Sequence, residues 1–256
     1  MNYTRREKIK ELFKSEEIIT LKELSALFPD VSTMTLRRDL EFFEHEGMIM
    51  MIRGGCKVLN REKTPAEENY EDRAVSNIVA KMQIAKAALP YLETGRSVFI
   101  DSGSTMMCFS KLIPNMKLSV ITSGPNIALE LSKHSLPTIN IVGGSINKDN
   151  LSISGAQALA FIKSINIDTA FIAPSGLSAG GGFTSGNYAE CEVKRAIIRK
   201  ASKTIILMDS SKIGKSLAYT FANLKDVDMV ITNEHLPENL YLSALKGGVT
   251  VKTLDY

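Results

Sequence analysis

Tryptophan is absent from this 256-residue chain, and it holds only three cysteines and three histidines. Cys56, Cys108 and Cys191 stand far apart and are odd in number. They suit reduced thiols in a cytoplasm better than a disulfide framework. His45, His134 and His235 have no cysteine or acidic partner at metal-ligand spacing, so neither a metal nor another cofactor is expected. Ser102, Ser104 and Ser175 have no evident histidine partner for nucleophilic chemistry. No run of about eighteen apolar residues occurs, so no membrane-spanning helix is expected. The opening stretch from Met1 to Lys8 is charged and has no apolar run behind it, which argues against a secretory signal. Charge of a single sign is lacking too. Thirty-one basic against 28 acidic residues leave +3, which permits nucleic-acid binding without arguing for it.

What is present divides in two. At 256 residues and 44% hydrophobic content the chain can bury one large core, or a small domain beside a larger one. Residues 1–58 show helical periodicity that ends in a short β-ribbon or wing over 48–55. Residues 59–75 are polar around Pro65 and read as a linker. A helix over 76–89, closed by Pro90, opens the segment 76–256. Strands are expected at 97–100, 118–121, 139–142, 169–173, 204–208, 229–231 and 249–253. Helices are expected at 106–112, 127–134, 156–164 and 189–201. That alternation predicts a mostly parallel α/β sheet.

In the first segment, Ile9, Leu12 and Phe13 make one apolar stripe, and Leu21, Leu24, Leu27 and Phe28 make a second. Pro29 and Asp30 stop that helix, Ser32 is a good N-cap for the next, and Leu36, Leu40 and Phe43 share its inner face. Helix, tight turn, helix is the arrangement that presents a second helix to the major groove. Thr33, Thr35, Arg37 and Arg38 lie at or near its N-terminal part, where Arg reads guanine or phosphate and Thr reads either or a thymine methyl. Asp39 is less suited to DNA and is expected to pair with an arginine or tether a neighbouring helix. The first sixty residues hold ten basic and ten acidic side chains. Affinity must therefore come from separation of charge, with Arg37, Arg38, Arg53 and Lys57 on one side.

In the second segment polar clusters follow the predicted strands. Asp101-Ser102-Gly103-Ser104-Thr105 follows the first, Thr122-Ser123-Gly124 the second and Gly143-Gly144-Ser145 the third. Pro174-Ser175-Gly176 and Asp209-Ser210-Ser211-Lys212 follow two more. In a parallel sheet these carboxyl ends share one edge, where open α/β sheets bind ligands. The first cluster suits a phosphate. Gly103 admits close approach, Ser104 and Thr105 bring hydroxyls, and helix-opening amides point at the same spot. Lys212 adds a cation. Asp101, Asp209 and Glu190 suit sugar hydroxyls. The glycine-rich stretch 179–187 is expected to close over such a ligand. A buried, unreactive thiol is expected at Cys191.

Val31, Ser32, Thr35, Leu36, Arg37, Arg38, Asp39 and Leu40, followed by Glu44, Gly47 and Arg53-Gly54-Gly55, resemble the DeoR-family helix-turn-helix signature. The family's wing commonly ends His-Gly-Gly-Ala, where this chain has Arg53-Gly54-Gly55-Cys56. The second half is similar to the DeoR sensor domain. The match rests on residues 101–105, Val120-Ile121-Thr122-Ser123, Gly143-Gly144, residues 168–172, residues 190–195 and residues 209–214. The family commonly has Thr-Asn at the position of Thr122-Ser123. The resemblance implies a winged helix-turn-helix domain joined to a sensor whose fold is related to ribose-5-phosphate isomerase. It further implies double-stranded operator DNA and a small phosphorylated sugar as partners, and repression relieved by the ligand. A homo-oligomer, dimer or tetramer, is expected to read paired half-sites. The alternative reading is an aldose–ketose phosphate isomerase with Glu190 as base and Lys212 or Asp209 beside it. Such isomerases carry a lysine at the head of a glycine-rich loop, where this chain has Ala179-Gly180-Gly181-Gly182.

Overall fold

A computed structural model of the chain describes residues 2–13, 18–45, 48–52, 54–58 and 68–254; of residues 2–4, 45, 57 and 58 it describes the backbone alone. The chain divides into two compact units, residues 1–64 and 65–256.

The first unit runs α1 (Asn2–Leu12), β1 (Ile18–Thr20), α2 (Leu21–Leu27), α3 (Thr33–His45), β2 (Ile49–Ile52) and β3 (Gly55–Val58). Thr20 starts α2 with a capping box. Its hydroxyl accepts from Glu23 N at 3.2 Å, and Glu23 Oε2 accepts from Thr20 N at 2.8 Å. Ser32 caps α3 as expected, its Oγ accepting from Thr35 N at 3.3 Å. The apolar stripes meet in one core of Ile9, Leu24, Leu36, Leu40 and Phe43, closed by Ile19, Ile49 and Cys56. The expected ribbon is the antiparallel pair β2–β3, and β1 adds a third strand on the far side of β3. Three residues are too few for an alternation to announce β1.

The second unit opens with α4 (Tyr70–Val75) and α5 (Ile78–Ala88). The sequence assigned residues 70–75 to the linker and one helix to 76–89. Instead the helix breaks at Asn77, whose φ of 50° is left-handed, and the piece before it is folded. The alternating part follows as β4 (Ser97–Ile100), α6 (Ser104–Leu112), β5 (Ser119–Thr122), α7 (Pro125–Leu131) and β6 (Thr138–Ile141). A hairpin, β7 (Ser145–Asn147) and β8 (Ser152–Ser154), leads to α8 (Ala156–Lys163) and β9 (Ile167–Ile172). A second hairpin, β10 (Gly176–Ser178) and β11 (Gly182–Ser185), leads to α9 (Tyr188–Lys200), β12 (Ala201–Leu207) and β13 (Tyr219–Ala222). The chain then forms β14 (Met229–Thr232), α10 (Glu238–Lys246) and β15 (Thr250–Thr253).

Seven strands form one wholly parallel sheet in the order β15-β14-β12-β9-β4-β5-β6. Alternate residues face opposite layers, as the period of a strand requires. Phe99, Ala170, Ile172, Ile206 and Val230 pack toward α8, α9 and α10. Val98, Ile100, Phe171, Ile205, Leu207 and Ile231 pack with residues of α5 and α6. After β4 the chain moves outward through β5 and β6, then returns to place β9 on the other side of β4. The order thus reverses between β4 and β9, and the strand ends there leave a crevice for ligand. The glycine-rich stretch 179–187 is built into regular structure. It supplies the turn and second strand of the hairpin β10–β11, which joins β13 in a small antiparallel sheet.

Candidate functional site

In the first unit, α2 and α3 form the helix-turn-helix. Ser32, Thr33, Arg37 and Arg38 are exposed along the N-terminal part of α3. Thr35 is half-buried, and its hydroxyl is engaged with Ser32 Oγ at 2.9 Å. Met34, not singled out from the sequence, is 65% exposed on the same stretch. Arg37 Nε lies 3.7 Å from Glu41 Oε1 with both side chains largely exposed, a pairing that leaves the guanidinium accessible. Asp39 points the other way. It is buried, accepting from Arg5 Nε at 2.6 Å and Arg6 Nε at 2.8 Å, and so ties α3 to α1. Burial pushes its carboxyl up, but the bonds and charges of Arg5 and Arg6 outweigh that and hold it below its usual range. Arg53 lies outside the described residues. Lys57 is placed by its backbone in β3, opposite Ile18.

In the second unit a small polar cleft opens where β4 and β9 end. It brings together six of the expected ligand residues: Ser102, Gly103, Ser104, Thr105, Glu190 and Lys212. Gly103, at φ 108°, turns the chain from β4 into α6. Ser104 and Thr105 open α6, whose first amides have no partner within the helix and face outward at its N-terminus. Lys212 sits on a short 3₁₀ turn, Ser210–Lys212. Burial pushes its ammonium below the usual lysine range, against the pull of Asp209. Glu190, in the first turn of α9, is buried, and its Oε1 takes three donors. Asn147 Nδ2 donates to it at 3.0 Å, Asn150 Nδ2 at 3.1 Å and Ser152 Oγ at 2.6 Å.

The other expected residues lie elsewhere. Asp101 is buried beneath the cleft, where it accepts from Lys194 Nζ, from Ala173 N at 3.1 Å and from Ser123 Oγ at 3.4 Å. Thr122 is fully buried, its hydroxyl accepting from Gly124 N at 3.0 Å. Gly143 and Gly144 lead into β7. A Cβ on Gly144 would stand 2.2 Å from Ser154 O. A Cβ on Gly176 would meet Lys215 O at 2.5 Å, so that glycine serves packing of the second hairpin. Asp209 is buried, with Oδ1 accepting from Asn77 Nδ2 at 3.2 Å and Ser211 N at 3.0 Å.

Three lining residues escaped the sequence reading: Arg73, Asn150 and Lys194. Arg73 falls in the stretch read as linker, and Asn150 in a hairpin with no periodic signal. Lys194 was legible, since it lies four residues after Glu190 and so on the same face of a helix. Cys191 is fully buried, and burial pushes its thiol above the usual range, as suits an unreactive residue. No helix among the described residues is long and apolar enough to cross a membrane.

A helix-turn-helix with a β-ribbon, joined to an α/β unit with a polar cleft at its switch point, defines a ligand-sensing transcriptional regulator. Residues 5–62 match the DeoR-like helix-turn-helix domain and residues 76–234 match the DeoR C-terminal sensor domain. The chain belongs to the DeoR family of helix-turn-helix transcriptional regulators. It is 30% identical to the HTH-type transcriptional regulator GolR of Listeria innocua, over 99% of each chain. It is 28% identical to a putative aga operon transcriptional repressor of Escherichia coli O157:H7, over 96% of this chain and 92% of that one. Among solved structures it is similar to ribose 5-phosphate isomerase A of Methanocaldococcus jannaschii, at 16% identity and a TM-score of 0.41, covering 55% of this chain and 56% of that one. By its family the chain is a regulator and not an enzyme, so the isomerase alternative falls.

Proposed function

We propose that the cleft binds a phosphorylated sugar, and that this ligand controls a repressor acting on a carbohydrate operon in the cytoplasm. The observation that carries the reading is the composition of one crevice. Arg73, Lys212 and the N-terminus of α6 supply positive charge and donors on one part of its lining. Glu190 and Ser102 supply polar groups suited to hydroxyls on another. A ligand with an anion at one end and hydroxyls at the other satisfies both. The relative from Escherichia coli O157:H7, a putative aga operon transcriptional repressor, supports the sign of the control.

On the DNA side, Arg37 and Arg38 are the reading residues, with Thr33 and Met34 beside them. Met34 offers an apolar contact of the kind a thymine methyl takes. Two copies of the chain read two half-sites.

The test is a thermal-shift panel on the full chain, comparing sugar phosphates with their unphosphorylated parents. A phosphorylated member raises the melting temperature and its parent does not. Lys212→Ala weakens that ligand by about tenfold or more, as loss of a charged hydrogen bond predicts. The same ligand releases the wild-type chain from its promoter in a footprint. If parent sugars bind as well as their phosphates, the cleft is not an anion site.

A further inference from the structure

Helix α4 is fastened at several points to the unit it belongs to. Tyr70 N donates to Asp149 O at 2.7 Å, and the Tyr70 hydroxyl accepts from Asn126 Nδ2 at 2.8 Å. Arg73 Nη2 donates to Asn150 Oδ1 at 2.9 Å. Past the end of the helix, buried Lys81 donates to Arg73 O and, at 2.6 Å, to Ser76 O. Asn77 stands next in the left-handed region, its carboxamide tied to Asp209.

Of these fastenings, the Arg73–Asn150 bond is the one that reaches the cleft. Asn150 is buried and uses both ends of its carboxamide. Oδ1 takes the guanidinium of Arg73, and Nδ2 donates to Glu190 at 3.1 Å. A planar amide cannot turn to serve one partner without giving up the other. The next residue, Leu151, has a φ of 49°, uncommon for a side chain of its kind, so the surroundings hold Asn150 in place against local strain. Arg73, Asn150 and Glu190 all line the cleft.

We propose that Glu190, Asn150 and Arg73 form a ligand-sensitive latch on α4: an anion entering the cleft draws Arg73 away from Asn150 and loosens the helix that, among the described residues, comes first after the DNA-reading unit in the chain. The inference rests on the anion reading of the cleft given above. A phosphate offers the guanidinium opposite charge and two oxygens at once, where Asn150 offers one neutral carbonyl, so the exchange of partners runs toward the ligand. The Lys81 and Asn126 bonds do not involve the cleft and persist, which confines the change to the Arg73 side. Asn150 is a positioning residue here, acting through Arg73.

The test uses the full chain and inorganic phosphate, with chloride at matched ionic strength as the control. Hydrogen exchange is read at the amides of residues 70–76, and binding is read by thermal shift. In the wild type phosphate raises the melting temperature and speeds exchange over 70–76 by about tenfold, the signature of a local opening. Asn150→Ala shows that fast exchange before phosphate is added, gains nothing more from it, and still binds phosphate. Arg73→Ala removes the guanidinium and leaves the Asn150–Glu190 bond in place, so it too shows fast exchange without phosphate and gains nothing more from it. If Asn150→Ala does not fold, Arg73→Ala alone decides the matter, and slow exchange in it overturns the latch. A wild type that binds phosphate with unchanged or slower exchange over 70–76 overturns the latch and leaves the anion site standing. An Asn150→Ala chain that matches the wild type in both conditions does the same. A wild type that takes no phosphate overturns the latch and the anion site together.

Discussion

At the scale of single residues, the first unit depends on a carboxylate facing inward from the helix proposed above to read DNA with its other face. Asp39 holds Arg5 and Arg6 from a position 2% exposed, and so docks α1 against α3. Replacing it with asparagine keeps the shape and removes the charge from two charged hydrogen bonds. The expected loss is about 1–3 kcal/mol of stability near neutral pH. Chemical denaturation of wild type and Asp39→Asn checks this. The pH dependence has a definite sign. The folded carboxyl lies below its ordinary 3.8, so its contribution is complete above that value and is lost as pH falls through the lower folded one. The gap between wild type and Asp39→Asn therefore narrows only in that acid range. A gap that narrows instead between neutral pH and about pH 5 would mean that another group is titrating.

At the scale of elements, the hairpin β7–β8 does for the cleft what α1 does for the reading helix. It carries Asn147, Asn150 and Ser152, the donors that fix Glu190. Its entry turns on Gly144, at φ 138° and pressed against Ser154 O. Gly144→Ala forces the hairpin to shift, through backbone strain of about 1–3 kcal/mol and a steric clash. The expected result is a lower melting temperature and weaker sugar-phosphate binding, with the footprint of the unliganded protein unchanged. Unaltered ligand affinity in that variant would show that the hairpin does not hold the site. The same hairpin marks the limit of what the sequence made legible. The core elements were readable because burial leaves a pattern: α3 from Leu36, Leu40 and Phe43, and β4, β9 and β12 from apolar runs ended by polar clusters. The strands β7, β8, β10 and β11 have three or four residues each, mostly Ser, Gly, Asn and Thr around one apolar residue, so no apolar run marks them. Gly144 looked like a ligand-site glycine because a glycine after a strand is the same signal whether a ligand or another backbone approaches it. Arg73 was hidden for a related reason. A charged residue in a polar stretch looks solvated until tertiary bonds show where the stretch is anchored.

At the scale of the whole molecule, charge sets how the two units must cooperate. Ten basic and ten acidic residues balance over the first sixty, so a single reading unit brings no net attraction to DNA. Its phosphate contacts rest on the few cations gathered near α3, and each phosphate neutralised adds only about 0.9 to the slope of log affinity against log salt. Family membership places a sensor behind that reader, and pairing of two chains through residues 65–256 would join two weak readers. Linking them makes the second contact intramolecular and multiplies affinity by about 10²–10⁴. Residues 1–64 have a core of their own, so they can be made alone and checked for helix content. The expected outcome is that this fragment binds an operator at least about a hundredfold more weakly than the full chain at equal salt. Its salt slope should be about half as steep, because one reader touches half the phosphates. Fluorescence anisotropy with one labelled operator at several salt concentrations measures both quantities. Equal affinity and equal slope for fragment and full chain would mean that a single α3 suffices, and that the larger unit controls the reader without pairing it.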